Sequence, residues 1–344
     1  MHRLQDGPLI CAEGYLFAME RRGYLQAGGF VPEVALEHPE ALRQLHRDFC
    51  FCGSDVVQAF TYNGHREKMR LMGKEELLEP LNRQALRIAR EVAQSAEPEP
   101  ALLAGNISNT NIYHPDDPGS QQQVRAMFEE MVGWAVEEDA DYIIAETMYY
   151  HGEAKLALEA ILESKLPAVV TLGLMAENVL RDGFNVEDSC RELQHLGAQV
   201  VGMNCFRGPK TMMPYLRRIR QAVDIPVAGL PVPYRTTKEH PTFFNLPDQG
   251  NTASLPHPST FPTALEPLSC NRYEMAQWAK EAYEEGISYL GLCCGATPAM
   301  IRAVAEAVGK KTPASRYSPD ISKHFLFGTD KSLNEEMTAF SSKA

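Results

Sequence analysis

The 344-residue chain is short of positive charge: 33 lysines and arginines stand against 45 aspartates and glutamates, a formal net charge of -12. Such a surface repels phosphate backbones and anionic lipid headgroups, which argues against nucleic acid and membrane as partners. No apolar run approaches the ~20 residues needed to span a bilayer. The start, Met1-His-Arg-Leu-Gln-Asp6, lacks the charged-then-apolar layout of a secretory signal. Eight cysteines are present, but without the close spacing of a small disulfide scaffold, as expected of a reducing compartment. No repeat of short fixed period is visible. Hydrophobic residues make up 44% and charged residues 23%, an ordinary globular balance. At this length the chain can form one large α/β barrel or two smaller domains. A cytoplasmic globular protein is the expectation.

Short apolar runs alternate with helix-like spacing along most of the chain. Strands are predicted at 9–15, 55–62, 101–108, 142–148, 168–174, 199–205, 226–231 and 287–294. Their nearly continuous apolar character suits parallel strands covered on both faces. Helices are predicted at 39–51, 75–95, 121–138, 153–164, 186–196, 215–223, 273–285 and 298–308, the last capped by Thr297 with Pro298 in its first position. Eight strands each followed by a helix predict an α/β fold of the (β/α)8 TIM-barrel type. An open doubly wound sheet would need a glycine-rich phosphate turn after the first strand, and Glu13-Gly14-Tyr15-Leu16 is not one. The barrel is placed at residues 1–312, with a Pro-, Thr-, His- and Asn-rich loop insertion at 232–271. Long loops of this kind are lids, binding loops or disordered segments, and disorder is the alternative for 247–262. Residues 313–344 form a tail expected to pack on the barrel or on a neighbouring subunit, with homo-oligomerisation as the consequence.

Such barrels carry their chemistry at the C-terminal ends of the strands. Those ends offer Glu13, Gln58, Thr61, Asn106, Ser108, Glu146, Thr147, Thr171, Asn204, Cys205, Cys293 and Cys294. Two thiols from one strand end and one from another suit a zinc ion that keeps a fourth position open. A redox disulfide between the adjacent Cys293 and Cys294 is the competing reading, and it leaves Cys205 unexplained. Cys11, Cys50, Cys52, Cys190 and Cys270 are read as small buried hydrophobes. Three thiolates weaken zinc as a hydroxide generator but suit activation of a thiol substrate, whose pKa starts near ~8.5. Methyl transfer to a thiolate follows. A zinc hydrolase and a non-enzymatic zinc or thiol-binding protein are the alternatives, disfavoured by the lack of His ligands and of a fourth Cys or His.

Particular segments carry a resemblance to a known family. They are Phe17-Ala-Met-Glu-Arg-Arg-Gly-Tyr24, Val31-Pro-Glu-Val-Ala-Leu-Glu-His-Pro-Glu40, Gly53-Ser-Asp-Val-Val-Gln-Ala-Phe-Thr61, Tyr142-Ile-Ile-Ala-Glu-Thr147, Gly202-Met-Asn-Cys205, Leu265-Glu-Pro267 and Gly291-Leu-Cys-Cys-Gly295. With these the chain resembles the zinc-dependent homocysteine S-methyltransferases, in their betaine–homocysteine branch. The resemblance implies Zn2+ on Cys205, Cys293 and Cys294, homocysteine as acceptor, methionine as product and an onium compound, glycine betaine first, as methyl donor. It implies that Glu146, with Glu13, binds the homocysteine amino group, and that Gly14, Phe30, Thr61, Tyr62 and Thr147 complete the substrate-binding set. The chain departs from the branch in having Glu13 in Ala-Glu-Gly-Tyr where relatives carry Asp-Gly-Gly. It also has Phe30 in place of a tryptophan, and Asn63 and Thr147 in place of tyrosines. An altered cage leaves sulfonium donors such as dimethylsulfoniopropionate or S-methylmethionine open. Tyr149 and Tyr150 are candidates for an aromatic wall, and His65 and Arg66 for contact with a donor carboxylate.

Overall fold

A computed structural model describes residues 3–248, 259–334 and 336. Eight parallel strands close into a barrel in sequential order: β1 (Leu9–Ala12), β2 (Val56–Gln58), β3 (Leu102–Ser108), β4 (Tyr142–Met148), β5 (Ala168–Leu172), β6 (Val200–Asn204), β7 (Val227–Leu230) and β8 (Ile287–Leu292). The closing pair matches Leu9 with Tyr289 and Ala12 with Leu292. Side chains alternate across each strand, so two cores form. One faces the helices. The other fills the barrel, with Cys11, Val56, Ala104, Ile144, Val169, Val200 and Tyr289 among its members. Burial on both faces is why the strands read as unbroken apolar runs.

Helices Pro39–Phe51, Leu78–Ser95, Pro118–Glu137, His151–Glu163, Val186–Leu196, Pro209–Ala222, Arg272–Glu284 and Pro298–Ala307 surround the sheet. Thr297 caps the last one, accepting from Met300 N–H at 3.3 Å, with Pro298 in its first turn. The sequence places the helix after β6 six residues too late. Pro214 lies inside it, and a proline there mimics a helix start. The first two predicted strands are too long. β1 ends at Ala12 because Gly14 turns the chain into the helix Tyr15–Arg21. β2 ends at Gln58 because the backbone N–H groups of Thr61 and Gly64 bond back to Ala59 and Thr61.

The insertion after β7 folds back over the barrel mouth through the bridges Arg207–Thr242 and Tyr234–Ser269. Phe243 and Phe261 pack at ring-centroid distances of 6.1 and 6.4 Å from Phe17. Most of the segment 247–262 lies outside the described residues, as do tail residues 335 and 337–344. The tail is tied to the barrel at its start, where Arg302 donates to the carbonyls of Ala314 and Tyr317. Among the described residues no helix is long and apolar enough to cross a membrane.

Candidate active site

Continuing the inward alternation of each strand by one or two steps reaches Glu13 after Cys11, Gln58 after Val56, Asn106 after Ala104, Glu146 after Ile144, Thr171 after Val169, Asn204 after Val200 and Cys293 after Tyr289. The pleat that builds an apolar barrel floor therefore ends in a ring of polar groups. Cys205 follows an inward residue and would point outward by the same rule. Its backbone instead takes φ +57°, and Phe206 φ +55°. Left-handed geometry costs roughly 1–2 kcal/mol at a non-glycine residue, and here the bend swings the Cys205 thiol back over the mouth. Gly295, at φ +96°, makes the corresponding turn after Cys294.

The sulfur atoms of Cys205, Cys293 and Cys294 lie within 4.8 Å of one another, a cluster that could hold a metal ion. Cys205 is 3.7 Å from Cys294, and Cys293 is 3.9 Å from Cys294. All eight cysteines are free. Burial opposes ionisation of Cys205, but hydrogen bonds from the Cys293 and Cys294 thiols overcome it and hold Cys205 well below the usual thiol range. Cys293 is pushed up by burial and then by its bond to Cys205.

Beside the thiols stand two buried carboxylates. Glu146 Oε1 accepts from Gln58 at 2.7 Å and Asn106 at 2.6 Å, and its Oε2 from Asn204 at 2.9 Å. Asn204 also donates to Glu13 Oε2 at 3.2 Å, while its Oδ1 accepts from Thr147 N–H and the Thr171 hydroxyl at 2.8 and 2.9 Å. Glu13 Oε1 is buried without a partner. Burial, then Cys205, pushes Glu146 up to about 7. Burial and the charge of Glu146 push Glu13 up as well. Two neighbouring buried carboxylates, one with an unpartnered oxygen, are suited to receiving a cation.

A cavity of about 30 Å³ opens on this cluster, lined by Glu13, Tyr15, Leu16, Gln58, Ala59, Phe60, Tyr62, Glu146, Thr147 and the three cysteines. A larger one, about 590 Å³, lies between the helices Pro209–Ala222 and Arg272–Glu284 and holds neither these thiols nor these carboxylates. Gly14, Phe30 and Thr61 stand behind the lining. Phe30 stacks on Tyr62 at 6.4 Å and 9° between planes, and the Thr61 hydroxyl donates to Asn106 O at 2.8 Å. Gly14 packs on Ala296, where an added β-carbon would come within 2.7 Å of the alanine Cβ.

Several candidates are engaged elsewhere. Tyr149 and Tyr150 do not line the cavity; both lie beneath the Arg181 guanidinium at 5.8 and 5.4 Å. His65 caps the short helix Arg66–Met72, accepting from Lys68 N–H at 3.3 Å, and Arg66 pairs with Glu130 at 2.5 Å. Helix-capping geometry and an acidic neighbour thus account for both. The sequence does not single out Tyr15, Ala59 and Phe60 as lining residues, because the predicted strands 9–15 and 55–62 run through the turns that bring them to the mouth, nor Leu16, which follows in the helix Tyr15–Arg21.

The family model described as homocysteine S-methyltransferase matches residues 16–308. Betaine–homocysteine S-methyltransferase 1 of Danio rerio is 35% identical over 333 residues, 96% of this chain and 80% of the relative. S-methylmethionine–homocysteine S-methyltransferase of Pongo abelii is 34% identical over 337 residues, 96% of this chain and 86% of the relative. Among solved structures, the homocysteine methyltransferase MmuM from Escherichia coli in its metallated form aligns with a TM-score of 0.68 at 18% identity, covering 88% of this chain and 98% of that one, a likeness of fold. The hydrolase and non-enzymatic readings fall away, and the chain belongs to the homocysteine S-methyltransferase family as an S-methyltransferase.

Proposed function

We propose that the protein makes methionine by moving a methyl group from an onium donor to homocysteine, with zinc held by Cys205, Cys293 and Cys294. The observation that carries this reading is the placement of three free thiols against two buried carboxylates. Thiolates bound at ~2.3 Å to a tetrahedral ion stand about 3.8 Å apart, and the Cys205–Cys294 and Cys293–Cys294 separations of 3.7 and 3.9 Å fit that spacing. Among the described residues no fourth Cys or His joins the cluster, which leaves one position for a substrate sulfur. Zinc bound there would favour the thiolate form of homocysteine.

Glu146, held by Gln58, Asn106 and Asn204, and the free oxygen of Glu13 would receive the homocysteine ammonium. Tyr15, Phe60 and Tyr62 supply aromatic surface for the onium group, with Phe30 supporting Tyr62. The substrate thiolate then attacks the methyl carbon. The carbon–nitrogen or carbon–sulfur bond breaks, its electron pair stays with the leaving atom, and a neutral amine or sulfide departs. No proton moves at the carbon, so the residues act by positioning and by excluding water.

Glycine betaine is the first donor in this reading, and S-methylmethionine is the second. Betaine comes first from the relatives; against it, the cavity lining holds two carboxylates and no Lys, Arg or His to meet the betaine carboxylate, and this observation keeps S-methylmethionine, of net positive charge, as the second reading. A cytoplasmic homo-oligomer is the expected form. The exposed Tyr317, Ile321, Phe325 and Phe327 of the tail support a subunit contact.

The test is metal content of the purified protein, then methionine formation from homocysteine with betaine, S-methylmethionine and dimethylsulfoniopropionate in parallel. One zinc per chain and loss of activity in Cys205→Ala are expected. Full activity in that variant and after chelation would overturn the zinc-thiolate reading.

A further inference from the structure

Beneath the mouth runs a line of buried protic groups that the thiol chemistry does not use. Gln58 Nε2 donates to Glu146 Oε1 at 2.7 Å. Cys11 Sγ lies 3.8 Å from Gln58 Oε1. Tyr289 shares the barrel core with Cys11, and its hydroxyl stands 2.9 Å from the Tyr142 hydroxyl. These groups come from β1, β2, β4 and β8, so only the closed barrel joins them.

With Glu146 ionised, the chemistry of the groups fixes the direction of the bonds from Cys11 to Gln58 and from Gln58 to Glu146. An ionised Glu146 can only accept, so Gln58 turns its NH2 toward it. The Gln58 oxygen can only accept, so the Cys11 S–H donates to it. Both donations run toward Glu146. Turning the Gln58 amide over would set its oxygen against the carboxylate and its NH2 against the Cys11 sulfur.

Packing alone gives no reason for this line. Its neighbours in the barrel core are aliphatic, including Val56, Ile144, Val169 and Val200. Burying two phenols and an amide is unfavourable unless each finds a partner, and none of their polar atoms is unpartnered. We propose that Cys11 is a positioning residue that locks the Gln58 amide and so orients Glu146 to receive the substrate ammonium. This rests on the reading that Glu146 binds the amino group of homocysteine.

The experiment compares binding of homocysteine with 4-sulfanylbutanoate, the same chain without the amino group, to the metal-loaded enzyme by calorimetry. The wild type is expected to prefer homocysteine. Cys11→Val, which removes the donor, cuts that preference roughly three- to tenfold, with metal content and 4-sulfanylbutanoate affinity unchanged. Cys11→Ser, which keeps a donor, restores it. Cys11→Ala removes the same donor and serves if the valine variant does not fold. An unchanged preference in a folded Cys11→Val or Cys11→Ala protein overturns the positioning role. Equal binding of both ligands by the wild type overturns the ammonium reading of Glu146, and the relay with it.

Discussion

Tyr234 lies so close to Gly295 that a β-carbon on residue 295 would stand 2.4 Å from the Tyr234 hydroxyl. The same hydroxyl accepts from Arg21 at 3.0 Å, and Arg21 pairs with Glu266 at 3.0 Å. The insertion after β7 is thereby fastened to the helix Tyr15–Arg21, and its tyrosine closes over the turn that follows Cys294.

Gly295→Ala must resolve both the collision and a φ of +96°. Either adjustment moves Cys293 and Cys294. The expected outcome is at least a tenfold loss of methyl transfer with substoichiometric metal, read by elemental analysis beside an activity assay. Full metal occupancy and normal turnover would show that the turn tolerates a side chain.

Asn204 is the donor shared by Glu13, Glu146 and the Thr147 hydroxyl. In Asn204→Ala the Thr147 N–H loses its acceptor and Glu146 loses a donor, a cost of about 1–3 kcal/mol for buried groups. Urea unfolding should register that loss, and the homocysteine KM should rise more than kcat falls. A stability within ~0.5 kcal/mol of wild type would contradict the hub role.

Buried histidines make the fold acid-sensitive. Burial lowers His46 to about 3 and, as the largest cause, His65 to about 4. Unfolded histidines titrate near ~6.5, so below that pH the unfolded chain takes up protons that the native sites refuse. The stability from these two groups is complete above pH ~6.5 and falls as pH drops toward about 4 and about 3. Each contributes a slope of up to ~1.4 kcal/mol per pH unit. Glu146, raised to about 7, acts in the opposite sense, losing stability as pH rises from the carboxylate range. Denaturation midpoints between pH 6.5 and 4.5 should fall less steeply in His46→Leu than in wild type; parallel curves would rule out a His46 contribution.

Arg66 is more than half exposed and paired with Glu130 on the outer helices. Arg66→Ala is therefore expected to leave the donor KM unchanged and to alter stability by no more than ~1 kcal/mol. A severalfold rise in donor KM would return Arg66 to the donor site.

Much of this molecule is legible in its sequence because local pattern carries it. Apolar runs such as 142–148, separated by helical spacing, encode a parallel sheet buried on both faces, and eight of them encode a closed barrel. Thr297-Pro298 marks its helix start by capping chemistry alone. Cys205, Cys293 and Cys294 stand out because thiols at strand ends of such a barrel share one face. The sequence does not reveal how those side chains turn. Cys205 reaches the mouth only through a left-handed backbone that no propensity scale favours at cysteine. Tyr15 and Phe60 reach the cavity through turns that local patterning reads as more strand. Arg66, a reasonable partner for a carboxylate, is claimed by Glu130, a residue 64 positions away. The order Cys11, Gln58, Glu146 exists only in the closed barrel, because its bonds join neighbours brought together from three strands. Periodicity is a one-dimensional property and survives in the sequence; orientation and partnership are settled by three-dimensional competition for the same groups.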